Sequence, residues 1–186
     1  MEHRLQYWLM SVHLVQGGTH LSILNEIHIH DGLATSGQPT ASQLEEIRLR
    51  GYTTIIDLST PDSKNVLADE ASITGRLGLN YIRIPVVWEA PVVRQFDQFA
   101  TLLQALQGEK VWVHCALNMR ATCFVFLYRL LILNEDEKAA FELVTAVWQP
   151  NDCWVRFIHD VIRKYRGGAE PVSRFSLARR LFGARL

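Results

Sequence analysis

The feature that most constrains this chain is the run Val111-Trp-Val-His-Cys-Ala-Leu-Asn-Met-Arg-Ala-Thr122. Its apolar start reads as a buried strand ending at His114. Cys115 follows, four residues intervene, and Arg120 opens a stretch that is apolar and helical to Leu133. A strand, a short loop and a helix start gather main-chain N–H groups around one hollow, a geometry that attracts anions. A cysteine in that hollow, beside a helix N-terminus and a guanidinium, is favoured as its thiolate. The arginine adds a planar fork that grips two oxygens of a tetrahedral anion. Such residues equip a chain for phosphoryl transfer through a covalent cysteine intermediate.

The segment His114-Cys115…Arg120 with Thr122 resembles the signature loop of cysteine-dependent protein-tyrosine and dual-specificity phosphatases. That superfamily spaces cysteine and arginine by five residues, whereas this loop has four, so Ala121 stands in the usual arginine position. Thr122 keeps the place of the family's loop hydroxyl, and Asn118, a residue that tolerates left-handed backbone, replaces the loop glycine. The shorter spacing is shared by rhodanese-type sulfurtransferases, which sets the main alternative. A catalytically weak phosphate-binding module is the other. The turn at Thr35-Ser-Gly-Gln-Pro39 and the Trp148-Gln-Pro-Asn-Asp-Cys-Trp154 junction resemble a bacterial branch of small dual-specificity-type phosphatases, extending the resemblance over about residues 30–165.

A chain of 186 residues suits one domain with a sizeable core. Lysine plus arginine number 19, as do aspartate plus glutamate, so bulk charge argues for neither nucleic acid nor membrane as a partner. Three cysteines, Cys115, Cys123 and Cys153, are sparse and lack metal spacing, which favours a reducing, cytoplasmic compartment. Cys123 and Cys153 lie in apolar helical patterns and read as buried, inert thiols. Tyr7 to Val15 is apolar but interrupted by His13 and followed by no small-residue cleavage pattern, so residues 1–18 read as an extension and not a signal peptide. Residues 19–166 form the phosphatase-like domain. The arginine-rich tail, residues 167–186, reads as a frayed terminus or packing helix ahead of a basic amphipathic surface helix.

In chain order, Leu21 to Ile27 reads as a short helix, and His28-Ile-His30 as a strand carrying a surface histidine pair. Leu33 begins a further short strand. Thr40 and Gln43 make a capping box for a helix ending at Gly51. Thr53–Leu58 and Leu79–Ile84 read as strands, and Asp69–Leu77 as a helix closed by Gly78. Phe96, Phe99, Leu103 and Leu106 mark a helix over residues 94–107. Helices are expected over 120–133, 136–148 and 152–165. Alternation of strands and helices predicts an α/β domain with a short, mainly parallel sheet of about four to five strands flanked by helices.

Within the resemblance, Cys115 is the nucleophile, while Arg120 and the amides of Ala116, Leu117, Asn118 and Met119 hold the phosphate oxygens. His114 would hydrogen-bond backbone at the loop base. Thr122 would bond the cysteine sulfur, or serve as an ordinary first-turn threonine. The family draws a general-acid aspartate from the loop after the strand at Tyr81–Ile84. Here that loop reads Ile84-Pro-Val-Val-Trp-Glu-Ala-Pro91, with Trp88 in the aspartate position. Glu89 is the candidate acid, its other reading a solvated loop glutamate, and Asp62 is the fallback. Asp57, at a strand end, reads as a turn residue. Trp88 reads as a packed anchor or a stacking platform for an aromatic substrate. The implied substrate is a phosphorylated protein or a small phosphomonoester, with no cofactor and no metal.

Overall fold

The structure is a computed structural model and describes residues 22–167. The extension at 1–18 and all of the 167–186 tail beyond Gly167 lie outside the described residues. Five strands form one sheet: β1 (Ile27–His30), β2 (Leu33–Ser36), β3 (Thr54–Asp57), β4 (Asn80–Arg83) and β5 (Val111–His114). Their spatial order is β1-β2-β5-β3-β4, parallel throughout except for β1, which hairpins antiparallel onto β2. The expected short helix at Leu21–Ile27 is absent. A turn with Asn25 in the left-handed region (φ 51°) leads instead into β1, its Ile23 carbonyl accepting from the Glu26 N–H and its Leu24 carbonyl from the Gly37 N–H.

Helix α1 (Ala41–Leu49) starts at the expected capping box: the Gln43 N–H donates to Thr40 Oγ1, and Gln43 Oε1 accepts from the Thr40 N–H (2.8 Å). The remaining helices are α2 (Glu70–Arg76), α3 (Val93–Ala105), α4 (Met119–Leu131), α5 (Glu137–Thr145) and α6 (Asp152–Tyr165). Helix α5 ends three residues before the expected Trp148.

Strand β5 is central and buried on both faces, so its alternation assigns side chains to two different layers. Val111 and Val113 enter the larger core with α3, α4, α5 and α6. Trp112 enters a second core with Leu44 and Ile47 of α1 and, at its edge, Ile73 of α2. Helix α4 is buried around nearly its whole circumference, from Arg120 to Tyr128, which explains why its sequence carries no amphipathic period. Phe124 is its pivot: its ring meets Phe96 and Phe99 of α3 edge-on and stacks on Phe157 of α6 at 5.4 Å. Phe124→Ala should cost about 3–5 kcal/mol in chemical denaturation at unchanged m-value, the usual result of emptying a fully buried aromatic site.

Candidate active site

The chain leaves β3 toward α2 on one face of the sheet and leaves adjacent β5 toward α4 on the other. A crevice at the carboxyl ends of such a strand pair is where open α/β sheets bind ligands. Cys115 lies there, directly after β5, and is 1% exposed. Its N–H donates to the Ser36 carbonyl (3.4 Å) at the end of β2. The next carbonyls turn outward: Ala116 accepts from the Gln38 N–H (3.2 Å) and Leu117 from Asn25 Nδ2 (3.0 Å). Because a trans peptide sets C=O and N–H on opposite sides, the Ala116 carbonyl bond directs the Leu117 N–H the other way.

Asn118 makes the turn into α4 with φ 68°, the left-handed conformation that its side-chain type tolerates. Its buried Nδ2 donates to the Asn25 carbonyl (2.6 Å) and to Thr35 Oγ1 (3.0 Å), pinning the loop from beneath. The amides of Met119, Arg120 and Ala121 then open the helix without intrahelical acceptors. Gly37 faces this loop, and a Cβ there would stand 3.0 Å from the Ala116 carbonyl oxygen, closer than side chains ordinarily approach. A larger residue would push the loop open.

Arg120 is 7% exposed. Its Nη2 donates to Ser63 Oγ (3.1 Å), and its guanidinium carbon lies 5.8 Å from the Trp88 ring centroid. Nε and Nη1 are buried with no hydrogen-bond partner among the described residues. Donors of a buried cation without acceptors are costly, and an oxyanion is the kind of ligand that satisfies them.

Beneath the loop, on the α2 side of the sheet, lies a buried ion network. His114 Nε2 stands 3.1 Å from Glu70 Oε1, and Nδ1 stands 3.9 Å from Asp57 Oδ1. The expected backbone bond of His114 is thus replaced by two carboxylates, because strand alternation turns the imidazole toward α2. Asp57 Oδ2 accepts from Arg83 Nε and Tyr81 Oη, each at 2.7 Å, while Oδ1 accepts from the Ser59 N–H (2.7 Å). Asp57 therefore performs the expected turn duty and also anchors β4. Burial pushes the Asp57 carboxyl up, yet the His114 charge and the Ser59 and Tyr81 bonds overcome it and hold it below the ordinary range. Burial likewise opposes charge on His114, but Glu70 and Asp57 prevail and hold it above the ordinary histidine value. Asp57, Glu70 and His114 lie close enough for metal ligation, but Arg83 and Tyr81 on Oδ2 and the Ser59 N–H on Oδ1 already supply the Asp57 carboxylate with donors.

The other sequence candidates are placed differently. The Thr122 hydroxyl donates to the Met119 carbonyl (3.0 Å), so its proton goes to the helix start and not to sulfur. Glu89 is exposed, with no ion pair or side-chain hydrogen bond to the loop among the described residues. Its neighbour Trp88 is the anchor: the ring packs on Trp148 and Trp154, and its carbonyl accepts from Trp154 Nε1 (3.0 Å). Cys153 is half-buried, and its thiol donates to the Glu89 carbonyl (3.1 Å), whereas Cys123 is fully buried and held well above the ordinary thiol value by burial. Asp62 is exposed; bonding to Thr60 and the field of Arg120 lower its carboxyl. His28 and His30 project outward from edge strand β1 as a surface pair. Ser63, Asn25, Gln38 and Glu70 carry no local signal for the site, since only the folded chain brings these distant positions together.

The family described as "DSP-PTPase phosphatase fused to NAD+ Kinase" (PTP-NADK) matches residues 12–149, and the chain belongs to it. No curated protein matches the chain. Among solved structures, a candidate phosphatase (DUF442) from Shewanella putrefaciens CN-32 is 28% identical with a TM-score of 0.70, covering 77% of this chain and 94% of that one. TpbA of P. aeruginosa, in a complex with pTyr, is 17% identical with a TM-score of 0.63, over 79% of this chain and 91% of its own. PTPMT1 bound to PI(5)P is 14% identical with a TM-score of 0.66, over 78% and 99%. The expected α/β architecture is that of these proteins, and the chain is a phosphatase of the tyrosine and dual-specificity type.

Asp57→Asn should lower stability by about 3 kcal/mol at pH 7, since it leaves a buried network short of one charge. The contribution of a depressed carboxyl is present above its unfolded value near pH 4 and is lost as pH falls through its folded value. The gap between wild type and variant in urea titrations should therefore narrow as pH falls below the ordinary carboxylate value.

Proposed function

We propose that this protein hydrolyses phosphomonoesters in two steps through a phosphocysteine on Cys115. The observation that carries this reading is the Arg120 guanidinium, buried with Nε and Nη1 unpartnered at the far end of the cysteine loop. In the first step the Cys115 sulfur attacks phosphorus in line, forming the S–P bond as the bond to the leaving oxygen breaks. Arg120 and the amides of Ala116, Leu117, Asn118 and Met119 hold the remaining phosphate oxygens as charge develops. In the second step water attacks the same phosphorus, the S–P bond breaks, and inorganic phosphate leaves with the thiolate restored.

Glu89 protonates the leaving group and then takes the proton of the attacking water, reaching over Trp88 from the loop it shares. Thr122 eases departure of the sulfur once its hydroxyl turns from Met119. His114 supports the loop base. The substrate is a phosphorylated protein or a small phosphomonoester. This is supported by the pTyr and PI(5)P complexes of proteins sharing the fold. The reaction uses no cofactor. The catalytic domain spans residues 19–166, in a reducing, cytoplasmic setting that three unpaired cysteines favour.

Hydrolysis of p-nitrophenyl phosphate across pH tests the reading. Cys115→Ser should abolish turnover, and Arg120→Lys should lower kcat/KM by about 10²–10³-fold, the worth of a positioned oxyanion donor. Equal turnover by wild type and Cys115→Ser would overturn it. Glu89→Gln should lower kcat by about 10²–10⁴-fold, as expected for a positioned proton donor. A loss under about tenfold would remove Glu89 from that role and turn attention to Asp62.

A further inference from the structure

The buried network under the loop contains one carboxylate that the reaction described above does not use. Glu70, the first residue of α2, is 2% exposed, and its two oxygens are divided between two tasks. Oε1 lies 3.1 Å from His114 Nε2, and Oε2 accepts from Gln38 Nε2 (3.0 Å). The main-chain N–H of that same Gln38 donates to the Ala116 carbonyl. Glu70 thus ties α2 both to the residue before Cys115 and to the segment that turns the first loop carbonyl outward.

Charge balance decides the state of His114. The charged groups acting on it are Glu70 on α2, Asp57 on β3 and Arg83 on β4. Arg83 neutralises Asp57 through the 2.7 Å pair, which leaves the Glu70 carboxylate without a countercharge unless His114 carries a proton. A buried carboxylate without a partner is costly, so the imidazolium is the state that closes the network at zero net charge. The geometry also orients this charge. Nε2 is the ring nitrogen remote from the backbone, so Glu70 lies beyond the ring and the positive imidazole stands between it and the main chain leading to Cys115.

We propose that Glu70 is a positioning residue of the phosphate loop, keeping His114 charged and oriented and anchoring Gln38 so that the loop's amides and fork receive an oxyanion. The inference rests on the phosphatase reading for its use but not for its test, which needs no turnover. Tungstate, a tetrahedral dianion, is the probe, and binding is followed by calorimetry on the full chain together with the ¹⁵N imidazole signals of His114.

Wild type should show a charged His114 at pH 7. Glu70→Gln keeps the shape but removes the charge, and should leave His114 neutral at pH 7 with tungstate affinity weakened about tenfold. Affinity should return as pH falls and His114 regains its proton, below the ordinary histidine value because burial opposes its charge. Loss of packing alone would give no such recovery. Gln38→Ala should weaken tungstate binding while His114 stays charged, separating the two tasks and keeping the test open if Glu70→Gln does not fold. A neutral His114 in wild type at pH 7, or unchanged tungstate binding by Glu70→Gln or by Gln38→Ala, would overturn the inference. Wild-type turnover with an unaffected Glu70→Gln would reject the positioning role and leave the phosphatase reading standing. Tungstate behaviour as described without turnover of any phosphomonoester would do the reverse.

Discussion

Burial of β5 on both faces is the constraint on which the rest of the molecule depends. A strand with no solvent-facing side must satisfy two layers at once, and successive residues necessarily enter different ones. His114 therefore falls into the α2 layer while Cys115 begins the excursion to α4. The loop between them inherits a fixed base, since the Cys115 N–H is already committed to β2. Parallel partners on both sides of β5 also bring Ser36 and Asp57 level with His114, and this register assembles the loop's supports.

Two kinds of polar burial follow, with opposite meanings. The Arg83–Asp57…His114…Glu70 chain pairs each charge with an opposite one, so it fixes geometry. Arg120 is only partly compensated, by Ser63 and the face of Trp88, with two donors left over. An interior that balances one set of charges by opposite charges and leaves another without a countercharge favours an anion beside Arg120. The loop's short spacing is accommodated by Asn118, whose left-handed backbone starts α4 early and whose amide grips the strand below.

The Trp88 loop provides the remaining wall. Its contacts with Trp148 and Trp154, and the thiol bond from Cys153 to Glu89, fasten it to the start of α6. An indole in place of a carboxylate gives Arg120 a flat, apolar cover with a cation–π component, worth more where water is excluded. The sequence junction from Trp148 to Trp154 thereby acquires a structural role: it is the buttress of the loop that covers Arg120.

Local order was legible in the residues themselves. The capping box at Thr40, the glycines after helices, the β-branched run at Thr54–Asp57 and the strand–loop–helix around Cys115 are short-range signals, because they depend on backbone preference and on periods of two or three to four residues. The segment before β1 departs from its helical expectation because its carbonyls are taken by groups further along the chain: Leu24 accepts from the Gly37 N–H and Ser22 from Gln43 Nε2. Cys115 and Arg120, the nucleophile and fork proposed above, are marked by partners that all lie between His114 and Thr122. What only the tertiary structure decided is which distant groups surround them. Glu70, Asp57, Gln38, Ser63 and Asn25 reach the loop through sheet register and helix packing. A buried charge selects its partner by position in space, for which separation along the chain carries no information.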